Sequence, residues 1–260
     1  MTGFLASVAS LAEARVVFEG GADLIDLKSP ADGVLGAVTP VVMREVLSYI
    51  RARRPVSATV GDLPSRPKTI AAAVQRVAAA GIDLIKVGLF DGGDRPAILK
   101  ALGREASHGM RIVVVLFADR EPRCREAIPA LADAGLAGVM LDTADKRGGG
   151  LRSYVSDLDL GELVRVARGC GLMSGLAGSL GLHDIAPLHA LAPDYLGFRS
   201  ALCLSGQRCN EVNADAVRAV RSRIPADWAK LVSSDKRTAF GVRNRNDLEG
   251  DGNELASQKA

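Results

Sequence analysis

The chain has 260 residues, of which 48% are hydrophobic, so it can form one large domain or two small ones with a sizeable core. Its formal net charge of +3 and its aromatic content of 4% suit an anionic metabolite and argue against a nucleic-acid surface or a base-stacking platform. No apolar run approaches the roughly 18 residues that a membrane-spanning helix needs.

Short apolar segments alternate with amphipathic ones along most of the chain. Eight segments are predicted as β-strands: Phe4–Val8, Leu24–Lys28, Val56–Val60, Leu84–Leu89, Ile112–Phe117, Gly138–Thr143, Leu172–Ala177 and Tyr195–Leu202. The segments between and after them are predicted as helices: Ser10–Glu19, Thr39–Arg53, Pro67–Ala80, Arg95–Glu105, Pro122–Ala134, Leu160–Arg168, His183–Leu191 and Ala214–Ile224. Thr39 and Pro40 are a strong start signal, with threonine as N-cap and proline in the first helical position.

Eight strand–helix units in about 225 residues predict a closed (β/α)8 barrel of the TIM type, with parallel strands. A doubly wound open sheet is the main alternative, but no GxGxxG motif follows the first strand to support it. The strand–helix unit recurs along the chain, but its amino-acid sequence shows no clear repeat. We therefore predict a catalytic barrel over residues 1–225 and a polar, partly disordered tail over 226–260.

Charged residues interrupt three of the predicted strands. Asp26 and Lys28 lie two apart in the second strand and so point to the same side, Lys86 lies in the fourth, and Asp142 lies in the sixth. Lys146 follows in the next loop. Buried charges are costly unless they are paired or used, and the carboxyl ends of barrel strands are where active sites form. A single such lysine is most often an ion-paired or surface residue, whereas this set predicts a catalytic site.

The chemistry that these lysines favour is Schiff-base formation. A desolvated lysine close to other positive charges loses its proton more easily and can attack a carbonyl carbon. The resulting iminium withdraws electrons and allows carbon–carbon bonds to form or break. Asp26 and Asp142 would orient the lysines or transfer protons.

A phosphate site is predicted at the ends of the last two strands. Gly178 and Ser179 follow the seventh strand, where small residues let backbone N–H groups approach an anion, and Arg199 and Ser200 lie in the eighth. The alternative is that the glycines only make tight turns. The loop Gly148–Gly150 is either a mobile lid or a flexible surface loop.

No metal or other cofactor is predicted. The three histidines lie in helical or loop contexts, and no group of His, Asp or Glu has the spacing of metal ligands. The cysteines form no CxxC pair and are predicted to be reduced thiols of a cytoplasmic protein: Cys124, Cys170, Cys203 and Cys209. The first residues contain no basic segment followed by a long apolar one, so no signal peptide is predicted. Ser57, Thr59 and Asp62 lie on and after the third strand, and the hydroxyls of Ser57 and Thr59 either line the pocket or are merely packed or hydrogen-bonded.

Five segments together resemble a known enzyme family. They are Ile25–Pro30 with Gly33 and Leu35–Ala37, Ser57–Pro64, Ile85–Leu89, Met140–Ala144 with Lys146, and Leu176–Ser179. In this order they resemble the (5-formylfuran-3-yl)methyl phosphate synthase family, also called 4-(hydroxymethyl)-2-furancarboxaldehyde-phosphate synthase. The resemblance runs from about Leu5 to Val220 and leaves out the tail.

The resemblance implies a (β/α)8 barrel that joins two glyceraldehyde 3-phosphate molecules into a phosphorylated furan aldehyde, with loss of one phosphate and two waters. That product is the precursor of methanofuran, a one-carbon carrier. The family's Schiff-base lysine falls on Lys28, and its other catalytic groups fall on Asp26, Lys86, Asp142 and Lys146. The implied ligand is a triose phosphate, without nucleic acid or membrane, and a homo-oligomer remains open.

Two other functions fit the same residues. One is another Schiff-base aldolase or dehydratase that acts on a phosphorylated substrate through the same lysine. The other is a non-catalytic barrel that binds a phosphorylated metabolite and regulates a partner.

Overall fold

The computed structural model describes residues 2–121, 123–145 and 148–225. Within these ranges the strands are β1 (Gly3–Val8), β2 (Leu24–Leu27), β3 (Val56–Thr59), β4 (Leu84–Gly88), β5 (Ile112–Phe117), β6 (Gly138–Asp142), β7 (Met173–Leu176) and β8 (Tyr195–Phe198). The helices are α1 (Leu11–Glu19), α2 (Pro40–Ile50), α3 (Pro67–Ala79), α4 (Arg95–Ser107), α5 (Ile128–Asp133), α6 (Asp157–Gly169), α7 (Ile185–Ala190) and α8 (Ala214–Arg221).

The strands close into one barrel in sequence order. Each strand pairs in parallel with the next, and β8 returns to pair with β1. The predicted (β/α)8 barrel is therefore confirmed for the described part of the chain. The predicted tail, 226–260, lies outside the described residues, so its separate character stays a prediction. In the same described ranges, every helix is too short or too polar to cross a lipid bilayer.

The barrel interior changes from apolar to charged along the strands. The layer nearer the amino ends of the strands includes Leu5, Leu24 and Leu84. These residues belong to an inner apolar cluster that is separate from the core between sheet and helices. Side chains two residues further on point to the same side of each strand. These are Ser7, Asp26 and Lys86, all of them buried. Inside the barrel, a polar layer therefore lies next to the apolar layer, on the side of the carboxyl ends of the strands.

Local start signals set most of the helix boundaries. The Thr39 hydroxyl accepts from the Val42 N–H and Pro40 opens α2, as predicted. By contrast, α6 begins three residues before the predicted Leu160, because Ser156 is its N-cap. The helix predicted from Pro122 is also shorter: a 3-10 turn precedes α5, and Pro122 itself lies outside the described residues.

The eighth strand ends earlier than predicted. β8 stops at Phe198, and the predicted strand residues Ser200–Leu202 form a 3-10 turn. Turn bonds take the place of the strand ladder here, with Leu202 N–H donating to Arg199 O and Cys203 N–H to Ser200 O. The second strand also ends one residue early, at Leu27, so Lys28 is the first residue beyond it.

A short aspartate motif recurs at the amino ends of three strands. The carboxylates of Asp23, Asp83 and Asp194, each just before its strand, accept from a backbone N–H of the preceding strand, at Phe4, Val56 and Ser174 respectively. Two residues before each aspartate the backbone is left-handed, at Gly21, Gly81 and Ala192. The sequence therefore does contain a repeat, although it is too short to stand out from the sequence alone.

Ala192 is the member of this motif that carries a side chain. Its φ of 54° is sterically unfavourable for alanine but not for glycine. Ala192→Gly is expected to raise the free energy of unfolding by about 0.5–1 kcal/mol, measured by urea denaturation. The matched control is Ala72→Gly in the exposed face of α3, which should lower it by about 1 kcal/mol. A loss of stability in Ala192→Gly would contradict the expectation.

Candidate active site

A buried ion pair lies at the centre of the barrel. Lys86 Nζ of β4 is 2.9 Å from Asp26 Oδ1 of β2, and both side chains are 2% exposed. Ser7 Oγ donates to Asp26 Oδ2 (2.8 Å) and Ser57 Oγ donates to Asp26 Oδ1 (2.6 Å). Both carboxylate oxygens are thus held by neighbours on β1, β3 and β4, which satisfies a charge that burial would otherwise make costly.

The surroundings keep Asp26 ionised. Burial alone would raise the pKa of its carboxyl, but the positive charges of Lys86 and Lys28 and the hydrogen bond from Ser57 outweigh it. The pKa of Asp26 therefore lies below its ordinary value of 3.8. At neutral pH this carboxylate is unprotonated, so it can accept a hydrogen bond or stabilise a cation.

Lys28 lies above this pair, at the mouth of the barrel. Its Nζ is 3.9 Å from Asp142 Oδ2 at the end of β6, with side-chain exposures of 8% and 3%. Asp142 Oδ1 also accepts from the Thr143 N–H (2.7 Å). Lys28 and Asp142 both line a cavity that opens between β6, β7 and β8, whereas Lys86 and Asp26 lie beneath it.

The structure brings together four of the five predicted catalytic residues: Asp26, Lys28, Lys86 and Asp142. The fifth, Lys146, lies outside the described residues. The turn before it is held by Asp119, whose carboxylate accepts from the N–H groups of Ala144 (2.7 Å) and Asp145 (2.6 Å). The catalytic roles of all five residues stay predictions.

The predicted phosphate residues line the same cavity as Lys28. Gly178 has a φ of 108°, and a Cβ there would lie 3.0 Å from Thr143 Cγ2, so glycine is needed both for the turn and for space. Ser179 follows with a φ of 50°, and Ser200 opens the 3-10 turn after β8. These positions place backbone groups around the cavity, and phosphate binding by them stays a prediction.

Arg199 has a different place from the one expected of a phosphate ligand. Its guanidinium bonds both carboxylate oxygens of Glu13 (2.6 and 3.1 Å), and its remaining N–H groups donate to the carbonyls of Ser7, Arg208 and Asn210. With all five donors engaged and the side chain 7% exposed, it braces the loop after β8 against α1. A phosphate contact from Arg199 would have to come from its backbone.

Several residues that shape the site carry little signal in the sequence. Ser7 is a single hydroxyl in an apolar strand, and its role follows only from its position opposite Asp26 in the β1–β2 register. Asp62 does not face the cavity but holds the N–H groups of Val34 and Leu35, at 2.7 Å each. Thr59 donates to Gly36 O (2.9 Å) in the same loop. The sequence signal for these loop contacts was an aspartate shortly after β3, Asp62, and another shortly after β5, Asp119.

Tyr195 is a buried side chain whose hydroxyl has no hydrogen-bond partner among the described residues. Its ring centroid lies 5.7 Å from Lys86 Nζ, and Gly175 makes room for the ring, since a Cβ there would be 2.2 Å from Cε2. Burial, and then the negative charges of Asp26 and Asp194, raise the pKa of Tyr195, so the phenol stays protonated. The ring face thus lies against the Lys86 ammonium as a cation–π contact.

Removing the Tyr195 hydroxyl is expected to stabilise the fold. Tyr195→Phe keeps the ring against Lys86 and removes an unsatisfied buried group, so the free energy of unfolding should rise by about 1 kcal/mol in urea denaturation. The matched control is Tyr49→Phe, which loses an exposed hydroxyl bonded to Glu19 and should change by less than about 0.5 kcal/mol. A clear loss of stability in Tyr195→Phe would mean that the hydroxyl is bonded in solution.

The described residues contain neither a metal-ligand cluster nor a disulfide bond. No cluster of three or more His, Cys, Asp or Glu side chains that could hold a metal ion occurs in those ranges. All four cysteines are free. Burial, followed by the nearby Glu121 carboxylate, raises the pKa of the Cys124 thiol to about 12, so it stays protonated.

Comparisons with known proteins decide the family. The family model described as 4-HFC-P synthase matches residues 4–221. The chain belongs to the 4-HFC-P synthase family. A protein of Methylorubrum extorquens is 42% identical over 230 residues, which cover 86% of this chain and 94% of that protein. The (5-formylfuran-3-yl)methyl phosphate synthase of Methanopyrus kandleri is 38% identical over 218 residues, which cover 79% and 90%.

Solved structures agree with this family at the level of fold. The 3-hexulose-6-phosphate synthase of Salmonella typhimurium superposes with a TM-score of 0.62 and 17% identity, covering 86% of this chain and all of that one. Identity this low supports the barrel alone. The family resemblance predicted from the motifs is confirmed, and with it membership in a family of synthases.

Proposed function

We propose that this 4-HFC-P synthase family member condenses two molecules of glyceraldehyde 3-phosphate into (5-formylfuran-3-yl)methyl phosphate through a Schiff base on Lys28. One phosphate and two waters leave, which balances the atoms of two trioses against one furan aldehyde phosphate. The support is the family, the printed activity of relatives such as the Methanopyrus kandleri enzyme, and a lysine-rich site at the barrel mouth. The product would feed methanofuran synthesis in the cytoplasm.

The observation that carries this proposal is the different placement of the two lysines. Lys28 lines the cavity, where a substrate carbonyl can reach its amine, while Lys86 is 2% exposed and bonded to Asp26 below. A Schiff base needs an amine in contact with the carbonyl carbon, and Lys28 has that position. Lys86 is placed to exchange protons or to hold a charge next to the bound intermediate.

The first half of the reaction forms a carbon–carbon bond. One triose phosphate, isomerised to its ketone, reacts with the Lys28 amine, and its carbonyl oxygen leaves as water to give an imine. The second triose loses the proton on C2, helped by Asp26 or Lys86, and expels its phosphate from C3 to give an enol, and C3 of this enol attacks the iminium carbon on Lys28. Until it takes up a proton, the ionised Asp26 carboxylate stabilises positive charge on the iminium.

The second half makes the furan ring. The free hydroxyl of the first triose closes the ring on the ketone carbon of the second, and loss of one more water and of the Lys28 amine leads to the aromatic aldehyde and frees the lysine. Asp142, which lies 3.9 Å from Lys28, is placed for the proton transfers on this side, together with Lys146. Backbone N–H groups of Gly178, Ser179 and Ser200 would bind the phosphate that is retained.

Product analysis tests this proposal directly. The purified protein is incubated with glyceraldehyde 3-phosphate alone, and the products are identified by mass spectrometry alongside an assay for released phosphate. A phosphorylated furan aldehyde with one equivalent of phosphate is expected. A six-carbon bisphosphate without phosphate release would mean an aldolase on the same scaffold, and binding without turnover would favour the regulatory barrel.

A further inference from the structure

Arg208 contacts two parts of the active site at once. It follows β8 and lines the cavity with Lys28, Gly178 and Ser179. Its Nη2 also donates to the carbonyl oxygens of Gly33 (3.0 Å) and Val34 (3.4 Å). Those carbonyls belong to the loop Ser29–Val38, here called the β2 loop, which begins directly after Lys28.

The β2 loop covers the mouth of the barrel. Leu35 is 2% exposed and packs toward Gly88 of β4, where an added Cβ would lie 2.6 Å from its Cδ1. Asp62 fixes the backbone N–H groups of Val34 and Leu35 from one side. Arg208 holds the carbonyls of the same turn from the other side, and so bridges the β2 loop and the loop after β8.

The cavity beside these loops is too small for the substrate. Its volume is about 30 Å³, whereas pockets that bind small ligands measure roughly 300–1,000 Å³. A triose phosphate can therefore enter only if the bordering loops move apart. Arg208 lines this cavity and bonds Gly33 and Val34, so a movement of Arg208 that admits substrate also acts on the β2 loop.

Arg208 also has the donors that a phosphate needs. Among the described residues its hydrogen bonds use only Nη2, which leaves Nε and Nη1 for a ligand. Its backbone is held in place, since its carbonyl accepts from Arg199 Nε at 2.7 Å. With the Arg199 guanidinium fully engaged, Arg208 presents a guanidinium at this cavity whose Nε and Nη1 hydrogens, on opposite edges of the group, can each donate to an oxyanion.

We propose that Arg208 binds a phosphate group of the substrate and couples its binding to closure of the β2 loop over Lys28. A phosphate between Arg208 and the Gly178–Ser179 turn holds the guanidinium in the position from which Nη2 bonds Gly33 and Val34. A substrate without phosphate does not supply this contact. The residue therefore sets both substrate specificity and access to Lys28, an assignment that rests on the proposed function.

Inorganic phosphate is the probe for the site and for the coupling. Its affinity is measured by calorimetry, and backbone hydrogen exchange in 33–36 is followed with and without it. In the wild type, phosphate should bind and slow exchange in this segment. Arg208→Gln should weaken phosphate binding about tenfold or more and abolish the slowing of exchange. Arg208→Lys keeps the charge but not the guanidinium, so its effects should lie between those of the wild type and Arg208→Gln. Arg66→Gln, an exposed arginine before α3, is the matched charge control and should behave as wild type.

Borohydride trapping tests specificity at Lys28. The wild type should form more adduct with glyceraldehyde 3-phosphate than with glyceraldehyde, and Arg208→Gln should reduce this ratio about tenfold or more. Exchange in β5 verifies that each variant is folded. An unchanged ratio in folded Arg208→Gln would overturn the role in specificity.

The outcomes separate this proposal from the proposed function. If folded Arg208→Gln binds phosphate as tightly as the wild type, the assignment of Arg208 is wrong. If the wild type binds phosphate but exchange in 33–36 does not slow, the coupling is wrong and the phosphate site remains. If no adduct forms on Lys28, the Schiff-base mechanism fails, while binding and exchange still decide the role of Arg208.

Discussion

Lys28→Ala is expected to abolish turnover and to remove the borohydride-trapped adduct. Without the amine no covalent intermediate can form, so the rate should fall by about 10³-fold or more. Mass spectrometry of peptides from the wild type, incubated with glyceraldehyde 3-phosphate and reduced, should place the adduct on Lys28. The lysine that carries the adduct identifies the nucleophile directly, independent of any effect on stability.

Two further variants keep this experiment interpretable. Lys28→Arg retains a positive charge beside Asp142 but cannot form an imine, so it should be as inactive as Lys28→Ala while folding normally. Lys100→Ala removes an exposed lysine on α4 and should leave both turnover and trapping unchanged. A trapped adduct on Lys86 in the Lys28 variants would reassign the nucleophile.

The fold could be predicted because its signals are local. Apolar runs of strand length, helix starts such as Thr39–Pro40 and glycines at turns recur around the barrel, and each is readable within a few residues. The predicted end of β8 was wrong because a 3-10 turn replaces the strand after Phe198, and the side chain of Arg199 before this turn is held by Glu13 on α1, 186 residues away in sequence. Nothing within the segment indicates that contact.

The site could be predicted only as far as charge in an apolar strand reveals it. Asp26, Lys86 and Asp142 stand out for this reason, and the barrel brings them together. The pairing of Lys86 with Asp26 and of Lys28 with Asp142 depends on strand register and tilt, which no local pattern specifies. Ser7 lies opposite Asp26 in the β1–β2 register, whereas Arg208 follows β8, so only closure of the barrel places Arg208 beside the loop after β2.

Asp26→Asn is expected to cost the fold several kcal/mol as well as its activity. The Lys86 ammonium would remain buried, at 2% exposure, without an anion, and breaking a buried pair in this way costs about 3–5 kcal/mol. Urea denaturation at pH 7 measures the loss. The matched control is Asp215→Asn, an 83%-exposed carboxylate paired with Arg218, which should change by less than about 1 kcal/mol.

The pH dependence of stability should identify the same carboxylate. The pKa of Asp26 is lower in the folded state than its ordinary value of 3.8, so the ionised form favours folding. This contribution is fully present above about pH 4 and is lost as the pH falls through the folded-state pKa. The wild type should therefore lose stability below about pH 4 more steeply than Asp26→Asn, and equal slopes would mean that Asp26 is not held ionised.

Removing both partners separates the stability of the pair from its chemistry. In Asp26→Asn/Lys86→Met no buried charge is left unpaired, so the double variant should regain at least about 2 kcal/mol over Asp26→Asn, although it remains inactive. Such recovery would mean that an apolar core tolerates this layer and that the ion pair is retained for catalysis. If the double variant is no more stable than Asp26→Asn, the loss comes from the Ser7 and Ser57 hydrogen bonds, and the pair itself contributes little.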